Sequence, residues 1–436
     1  MKIPTALRTG YTNTIRWFTV PQSAPDMNRR NFLNVQIDAV GVGLASTAAP
    51  FLPVLLTRLG ANTFQVSLLT FMPALMGFIL AIPLGQFLQS RKSIVPWFSF
   101  ARLAVLSSYA LTALVIIFLP RATAVVGILG IWAIATFPQS VLNICFSVVM
   151  NYVAGPEGRY ELMTHRWSIL GFTNAISALI AGQVLDRLAF PLNYQVVFLA
   201  LSMGGLISYY FSSKISLPDQ PRVIQTSKRS IKQQLQDYVH LILSEKPFVS
   251  FVLKRFVFLT GVALAAPLLP IYFVRSLRAS DSSIALINIA ANITVILGYS
   301  FWMQQTRRRG SLVVLLASTL GASLYPVFVG FTQQVWPIVI YAGFFGIFNA
   351  GVNLVFFDEL MKRVPIEYSA TFVGAAQGLQ YMSSIVAPLL APWLSQWIGF
   401  GPSLMLSGGI SLIGFFMFLT EYLSQSAKTE QSIDEG

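Results

Sequence analysis

The stretch GVGLASTAAPFLPVLLTRLGA, residues 41–61, returns near the middle of the chain as GVALAAPLLPIYFVRSLRA, residues 261–279. Both copies are long apolar runs that end in a basic loop. Loop residues match as well, Arg58 with Arg275 and, further along, Arg91 with Arg309. The two copies are six apolar stretches apart and have the same orientation. The repeat therefore predicts two parallel halves of six helices each, which is a known architecture of membrane transporters.

Twelve apolar stretches, each about as long as a membrane-spanning helix, fill the chain around this repeat. A hydrocarbon core needs about 20 apolar residues per helix, and the runs do not alternate as the strands of a barrel would. The chain is 55% hydrophobic and 10% charged, with a mean hydropathy of +0.66. We therefore predict an all-α polytopic membrane protein with twelve transmembrane helices. The predicted spans are 31–58, 63–88, 95–118, 123–151, 165–188, 192–213, 248–275, 282–304, 311–332, 336–360, 368–398 and 400–422.

The spans and the long loops define a domain organisation. It comprises a cytoplasmic N-terminal tail (1–30), a six-helix half (31–213), a cytoplasmic central loop (214–247), a second six-helix half (248–422) and a cytoplasmic C-terminal tail (423–436). Apolar residues recur at helical spacing from Ile231 to Ile242 in the central loop. This pattern is typical of an amphipathic helix on the membrane surface. A solvated linker helix explains it equally well.

Charge and composition limit the partners and the chemistry. The net charge of +13 is carried mostly by loops, which favours membrane orientation over nucleic-acid binding. If the N-terminus is cytoplasmic, most basic residues are cytoplasmic as well, so we expect a cell-membrane protein with both termini in the cytoplasm. The first 30 residues lack the apolar core of a secretory signal. The single Cys145 and the distant His165 and His240 form no metal site. No phosphate-loop motif is present, so we expect no cofactor and no enzyme activity.

A family resemblance rests on the short basic loops. After the second span the sequence reads GQFLQSRKS from Gly85, and after the eighth it reads MQQTRRRGS from Met303. Together with twelve spans, two parallel halves and a long basic central loop, these segments resemble the major facilitator superfamily. That family's loop carries a glycine, an aspartate four residues on, and then arginines. Here Gln89 holds the aspartate position, and Arg91 and Lys92 supply the basic end. The segment GQVLDRLAFPLNYQ, from residue 182, is similar to prokaryotic members.

This resemblance implies a secondary transporter that moves a small organic solute by alternating access. Proton coupling is one version of this hypothesis. A second hypothesis is a non-transporting membrane receptor or assembly factor that uses the same fold. The expected partners are a small-molecule solute and the lipid bilayer, and a monomer is favoured over an oligomer.

Polar side chains inside the spans are the candidate solute contacts. Polar groups are costly in the hydrocarbon region, so they are functional candidates. On several helices they recur along one face, and the solute is expected to be a neutral or amphiphilic compound because most of them are amides. The predicted cavity residues are Asn34, Asp38, Asn143, Asn349, Asn353 and Gln377. Hydrogen bonds between helices would explain such amides too.

Asp38 is the one carboxylate well inside an early span. It is either a proton carrier or a permanent partner of a buried cation. The candidate cations are Arg102, Lys254 and Arg255, which also lie within spans. Each could instead extend its charged end to the membrane surface.

Charged residues around the short cytoplasmic loops suggest a gate that closes that side. The residues assigned to the gate and its loops are Gly85, Gln89, Arg91, Lys92, Glu157, Arg159, Arg166, Asp358 and Glu359.

The basic loops predict the topology directly. Reporter fusions at residue 230 and at the C-terminus should both give cytoplasmic signals, because positively charged loops are retained on the cytoplasmic side. An external signal from either fusion would contradict the twelve-span assignment.

Overall fold

The structure of the protein, a computed structural model, describes residues 29–89, 91–217, 241–364 and 369–434. Every regular element within these ranges is helical. The all-α fold class is therefore confirmed. Most of the amphipathic segment expected from Ile231 to Ile242 lies outside the described residues, and so do the side chains of residues 155–161.

The chain divides into two compact units. Unit 1 consists of the described residues of Met1–Phe51 and Ile79–Ile224, and unit 2 consists of those of Leu52–Phe78 and Gln225–Gly436. The units differ from the sequence halves in the segment Leu52–Phe78, which groups with the second half of the chain. The domain boundaries given above remain predictions.

The described part of the first half contains six helices. They are α1 (Arg29–Ser46), α2 (Phe51–Arg58), α3 (Thr63–Gln89), α4 (Val95–Phe118), α5 (Arg121–Arg187) and α6 (Leu192–Ser213). The predicted first span corresponds to α1 and α2 together, separated by a short turn before Phe51. Helix α3 runs from unit 2 into unit 1.

The described part of the second half contains six more long helices. They are α7 (Lys246–Ile271), α8 (Asp281–Arg309), α9 (Ser311–Phe331), α10 (Val335–Lys362), α11 (Ser369–Ile398) and α12 (Phe400–Asp434). Helix α7 continues into a π-helical turn, Tyr272–Ser276.

Length and composition make the protein a multi-pass membrane protein. Within the described residues, 11 segments are long and apolar enough to cross a membrane. The predicted eleventh span is not among them, although α11 has 30 residues. Its polar residues Gln377, Gln380 and Tyr381 lower the mean hydropathy of the helix. By length alone, α11 could still cross the bilayer.

The structure has a helix where the sequence predicts a loop between the fourth and fifth spans. Helix α5 is continuous over 67 residues. A straight helix of that length would measure about 100 Å, several times the hydrocarbon thickness. Two separate segments of it qualify as spans, Thr123–Ala154 and Leu162–Arg187. Gly155, Pro156 and Gly158 lie between them, and helices kink at residues of these types. Because α5 is continuous, helical backbone replaces the expected loop there.

The sequence repeat has a counterpart in helix packing. In unit 1, α1 packs on α5 and α6, and α4 packs on α5 and α6. In unit 2, α7 packs on α11 and α12, and α9 packs on α10 and α12. For each of these unit 1 pairs, the corresponding unit 2 pair joins the two helices that lie six spans later in the chain. The repeat thus specifies how each half packs internally.

Glycines allow the equivalent helix pairs α1–α6 and α7–α12 to approach closely. A Cβ atom placed on Gly41 would lie 2.6 Å from the carbonyl oxygen of Gly204, and one on Gly204 would collide with the carbonyl oxygen of Gly41. In the second half, a Cβ on Gly261 would collide with Ser407 and Ser411. Small residues at helix contacts are typical of membrane bundles because they allow backbones to touch.

The α1–α6 contact predicts a difference between two glycine substitutions. Gly204→Ala should lower the melting temperature, since overpacking costs about 1–3 kcal/mol. Gly130→Ala is the matched control, because nothing lies within 4 Å of a Cβ at that helical position. It should leave stability unchanged or raise it slightly. Thermal unfolding in detergent measures both variants, and equal melting temperatures would contradict the close-contact role.

Candidate functional site

A cluster of buried charges lies inside unit 1, centred on Asp38. One carboxylate oxygen, Oδ2, lies 3.5 Å from Nη2 of Arg102 and 3.5 Å from Nη2 of Arg166. The other oxygen, Oδ1, accepts a 2.5 Å hydrogen bond from Oγ of Ser208. The four side chains come from α1, α4, α5 and α6. We call Asp38, Arg102, Arg166 and Ser208 the Asp38 cluster.

The Asp38 cluster is enclosed by protein. Asp38 and Ser208 are 0% exposed, Arg102 is 5% exposed and Arg166 is 2% exposed. Aromatic rings cover the guanidinium groups. Arg102 lies 4.8 Å from the ring centre of Phe98, and Arg166 lies 4.7 Å from that of Phe146. Stacking of this kind favours arginine over lysine at such positions.

The close α1–α6 contact explains how Ser208 reaches Asp38. Gly41 lies one turn after Asp38, and Gly204 lies one turn before Ser208. The two glycines allow the backbones to touch, which brings a short serine side chain within reach of the carboxylate.

A second charged network lies in unit 2, where α7, α9, α10 and α12 meet. Glu359 is 3% exposed and binds Ser311, Lys362 and Arg363. Arg363 continues the network to Glu421 of α12.

Lys254 and Arg255, the two other cations considered for Asp38, have partners in unit 2. Lys254 Nζ lies 2.5 Å from Oε2 of Glu421. Arg255 Nη2 donates a 2.6 Å hydrogen bond to Oε1 of Gln380. Of the three candidate cations, the structure therefore places Arg102 beside Asp38, together with Arg166.

The repeated arginines Arg58 and Arg275 make reciprocal contacts within unit 2. Arg58 donates to the carbonyl oxygen of Ala279 at 3.1 Å and forms a 2.9 Å ion pair with Asp281. Arg275 donates to the carbonyl oxygen of Ala61. Ala61 and Ala279 occupy the same place in the two copies of the repeat. We call this set, Arg58, Ala61, Arg275, Ala279 and Asp281, the arginine latch.

Equivalent turns present the two carbonyl groups of the latch. The residue before each alanine has a positive φ angle, 96° at Gly60 and 50° at Arg278. The left-handed conformation reverses the chain there. Helices α3 and α8 then begin two residues after the respective alanines.

The predicted cavity residues fall into two groups. Asn34 and Asp38 lie in the interior of unit 1, where Asn34 donates a 3.1 Å hydrogen bond to the carbonyl oxygen of Lys214. The other group is less buried: Asn143, Asn353 and Gln377 are exposed, and Asn349 is half-buried. Asn143 accepts a 2.9 Å hydrogen bond from Gln139 one turn earlier. The assignment of these residues to a solute cavity remains a prediction.

The predicted gate residues differ in their exposure and in the residues that they contact. Arg91 and Lys92 are exposed, and the Arg91 guanidinium stacks 4.2 Å from the ring centre of Phe87. Asp358 pairs with Lys362 on the surface of α10 at 2.6 Å. Arg166, assigned to the gate from sequence, belongs to the Asp38 cluster. The side chains of Gly85, Gln89, Glu157 and Arg159 lie outside those described.

Several partners of the charged residues could not be recognised from the sequence. Ser208 is one of many serines in apolar spans, although Gly204 and Ser208 form a small-xxx-small pattern that marks helix contacts. Asp281 and Glu421 lie near span ends, where acids are ordinary. Among the described residues, no three His, Cys, Asp or Glu side chains converge as metal ligands would.

Comparisons with known proteins agree with this architecture. The sequence profile of the Major Facilitator Superfamily matches residues 251–434. The second half of the chain is therefore similar to the Major Facilitator Superfamily. The first half is related to the matched half by the repeat and by the shared packing pairs.

Solved transporter structures share the fold over nearly the whole chain. The nucleoside transporter NupG matches with a TM-score of 0.69 at 11% identity, covering 89% of this chain and 99% of NupG. The xylose transporter XylE from E. coli, in a partially occluded inward-open conformation, matches with a TM-score of 0.64 at 12% identity, covering 92% and 98%.

Curated relatives match a shorter part of the chain. The multidrug resistance protein MdtG of Proteus mirabilis is 25% identical over 171 residues, which cover 37% of this chain and 42% of MdtG. MdtG of Serratia proteamaculans is 26% identical over the same length. The matched part of the chain thus spans about two fifths of the length of these relatives.

The Asp38 cluster predicts a large effect of a small substitution. Asp38→Asn would leave two guanidinium groups facing each other in the interior, and losing one partner of a buried pair costs about 3–5 kcal/mol. Thermal unfolding should show a large loss. Adding Arg166→Gln to Asp38→Asn removes one of the two stranded cations and should recover part of it.

The control for this experiment is Asp358→Asn. Asp358 belongs to an exposed ion pair, which contributes at most about 1 kcal/mol. If Asp38→Asn destabilises the protein no more than Asp358→Asn, the Asp38 cluster has no structural role.

Proposed function

We propose that the protein is a secondary transporter that moves a small organic solute across a cell membrane by alternating access. The observation that carries this proposal is the arginine latch, which joins the turns of the two repeats in a reciprocal arrangement. Parallel repeats that alternate between two arrangements are the basis of transport in this architecture.

The latch has the features of a contact that can open. Arg58 is 28% exposed at its side chain, and its partners include one carboxylate and one carbonyl oxygen. Water reaches the Arg58 end of the ion pair, whereas the Asp281 side chain is 6% exposed, so the latch is open to water at one end only. The Asp38 cluster is enclosed and would not open so readily. The latch is therefore proposed as a moving contact and the Asp38 cluster as a fixed one.

The proposed solute contacts are Asn143, Asn349, Asn353 and Gln377. These amides remain exposed or half-exposed on helices α5, α10 and α11, and they carry no fixed charge. Amides can donate and accept hydrogen bonds at once. Together with exposed Phe344 and Phe357 on α10, they favour a neutral or amphiphilic organic compound.

This substrate class agrees with the name of the relatives, multidrug resistance protein. Both termini are proposed to be cytoplasmic, in the inner membrane of a prokaryotic cell. The protein is proposed to act as a monomer. Coupling to protons is the proposed energy source, with a carrier other than Asp38, because two arginines and a serine already occupy that carboxylate.

A cross-linking experiment tests alternating access at the latch. Arg58→Cys with Asp281→Cys should react with a short bifunctional thiol reagent and trap the latch closed. Efflux of a panel of neutral and amphiphilic fluorescent dyes from vesicles should then stop and recover when a cleavable cross-link is reduced. Cys145 is buried, so it is shielded from the reagent.

The matched control is Lys254→Cys with Glu421→Cys. This pair joins α7 to α12, which pack together within one half of the chain. Its cross-link should leave transport intact. Full transport with the latch cross-linked, or no gradient-driven movement of any dye by the wild type, would contradict the proposal.

A further inference from the structure

The Asp38 cluster carries an excess of positive charge. Arg102 and Arg166 each contribute one positive charge, and arginine does not lose its proton in proteins. In the part of the chain that the structure describes, Asp38 is the acid that pairs with them. An unbalanced charge in the interior of a membrane protein costs several kcal/mol. A further anion would remove this cost.

The contacts within the cluster leave hydrogen-bonding capacity unused. Both arginine-to-carboxylate distances are 3.5 Å, whereas charge-assisted bonds are typically about 2.7–2.9 Å. Among the described residues, Nε of Arg102 and Nε of Arg166 are buried without a hydrogen-bond partner. Each Nε carries a hydrogen, so the guanidinium groups retain free donors.

Neighbouring neutral donors are free as well. Oγ of Ser99 and the side-chain amide of Gln36 are buried and find no hydrogen-bond partner among the described residues. Ser99 lies three residues before Arg102 on α4, so the two side chains share a helix face. Unpaired buried polar atoms of this kind are uncommon and require an explanation.

Gln36 lies at the level of Arg166. On α1, Phe32 contacts His165 with ring centres 5.9 Å apart, and Gly43 meets Leu170. Gln36 is one turn beyond Phe32, between these two contacts. Its 0% exposed side chain therefore lies near the turn of α5 that carries Arg166.

We propose that the Asp38 cluster, together with Gln36 and Ser99, binds a small monovalent anion. Four of the unused groups are hydrogen-bond donors, and the excess charge is one positive charge, so one monoanion balances the site. Both chloride and a carboxylate group have this chemistry. Binding of an inorganic ion does not depend on transport, whereas binding of a solute carboxylate rests on the proposed function.

Thermal unfolding of the purified full-length protein tests the proposal without any transport measurement. Sodium chloride or sodium acetate replaces sodium gluconate at constant ionic strength. Gluconate is the reference because its polyhydroxy chain is too large for an enclosed site. A ligand that binds the folded state raises the melting temperature with its concentration. We expect a saturable upward shift, from chloride alone for an inorganic ion, from acetate alone for a carboxylate, or from both.

Variants locate the effect. Arg166→Gln makes the cluster neutral and should abolish the shift. Ser99→Ala removes one donor without changing charge and should at least halve it, which keeps the test valid if Arg166→Gln does not fold. Arg255→Gln is the control, because Arg255 is a buried arginine of unit 2 that also has an unpaired Nε. It should retain the full shift.

Three results would overturn the proposal. The first is the absence of any shift with both chloride and acetate. The second is a full shift in Arg166→Gln or, where that variant does not fold, in Ser99→Ala. The third is an equal loss of the shift in Arg255→Gln, which would show that the loss is not specific to the Asp38 cluster.

Discussion

Lipid offers no hydrogen bonds, and the structure depends on this constraint. Every backbone group within a span must be satisfied inside its own helix, which explains why the described residues form helices and short turns. The same constraint governs the side chains. A charge within a span needs a partner supplied by the protein, and a polar group needs a donor or an acceptor. The Asp38 cluster and the charged network around Glu359, which we call the Glu359 network, both meet this requirement.

Close helix contact makes those responses possible. Gly41 and Gly204 bring α1 and α6 together, so that Ser208 reaches Asp38. Long arginine side chains cover the remaining distance from α4 and α5. The hydrogen bond from Ser208 to Asp38 is thus a consequence of small residues placed one turn away. Small residues at a helix contact allow a short polar side chain to reach a buried carboxylate.

The repeat allowed much of the fold to be predicted from sequence. Apolar length identified the spans, and the match of Arg58 with Arg275 identified the two halves. The helix pairs of the second half then follow from those of the first. Sequence could not supply these partners, because both arginines donate hydrogen bonds to backbone carbonyl oxygens, which any residue could provide. Ala61 and Ala279 have no polar side chain to reveal their role.

The Asp38 cluster was predictable only in part. A carboxylate within a span requires a cation, so a partner for Asp38 was expected, and Arg102 was among the candidates. Arg166 looked like a gate residue because a loop was expected beside it. Helix α5 continues through that region, so Arg166 lies inside the unit. The position of Arg166 in the sequence could not distinguish a gate loop from the interior of the unit. A few more residues of helix decide whether such a side chain reaches water or the interior.

Comparison of the two halves separates what the repeat preserves from what it changes. With the offset that aligns Gly41 with Gly261, Asp38 aligns with Phe258, and Arg255 lies three residues earlier. The buried acid of α1 is therefore replaced by an aromatic residue at the same position of α7. Asp38 gathers two arginines, whereas Arg255 binds the neutral amide of Gln380 and lies 5.5 Å from the ring centre of Phe356.

The Glu359 network of the second half holds acids and bases in equal number, Asp358, Glu359 and Glu421 with Lys254, Lys362 and Arg363. The Asp38 cluster of the first half holds one acid and two bases. Because backbone packing is shared, this difference does not follow from the fold. It lies in a few side chains, and those side chains distinguish what each half can bind.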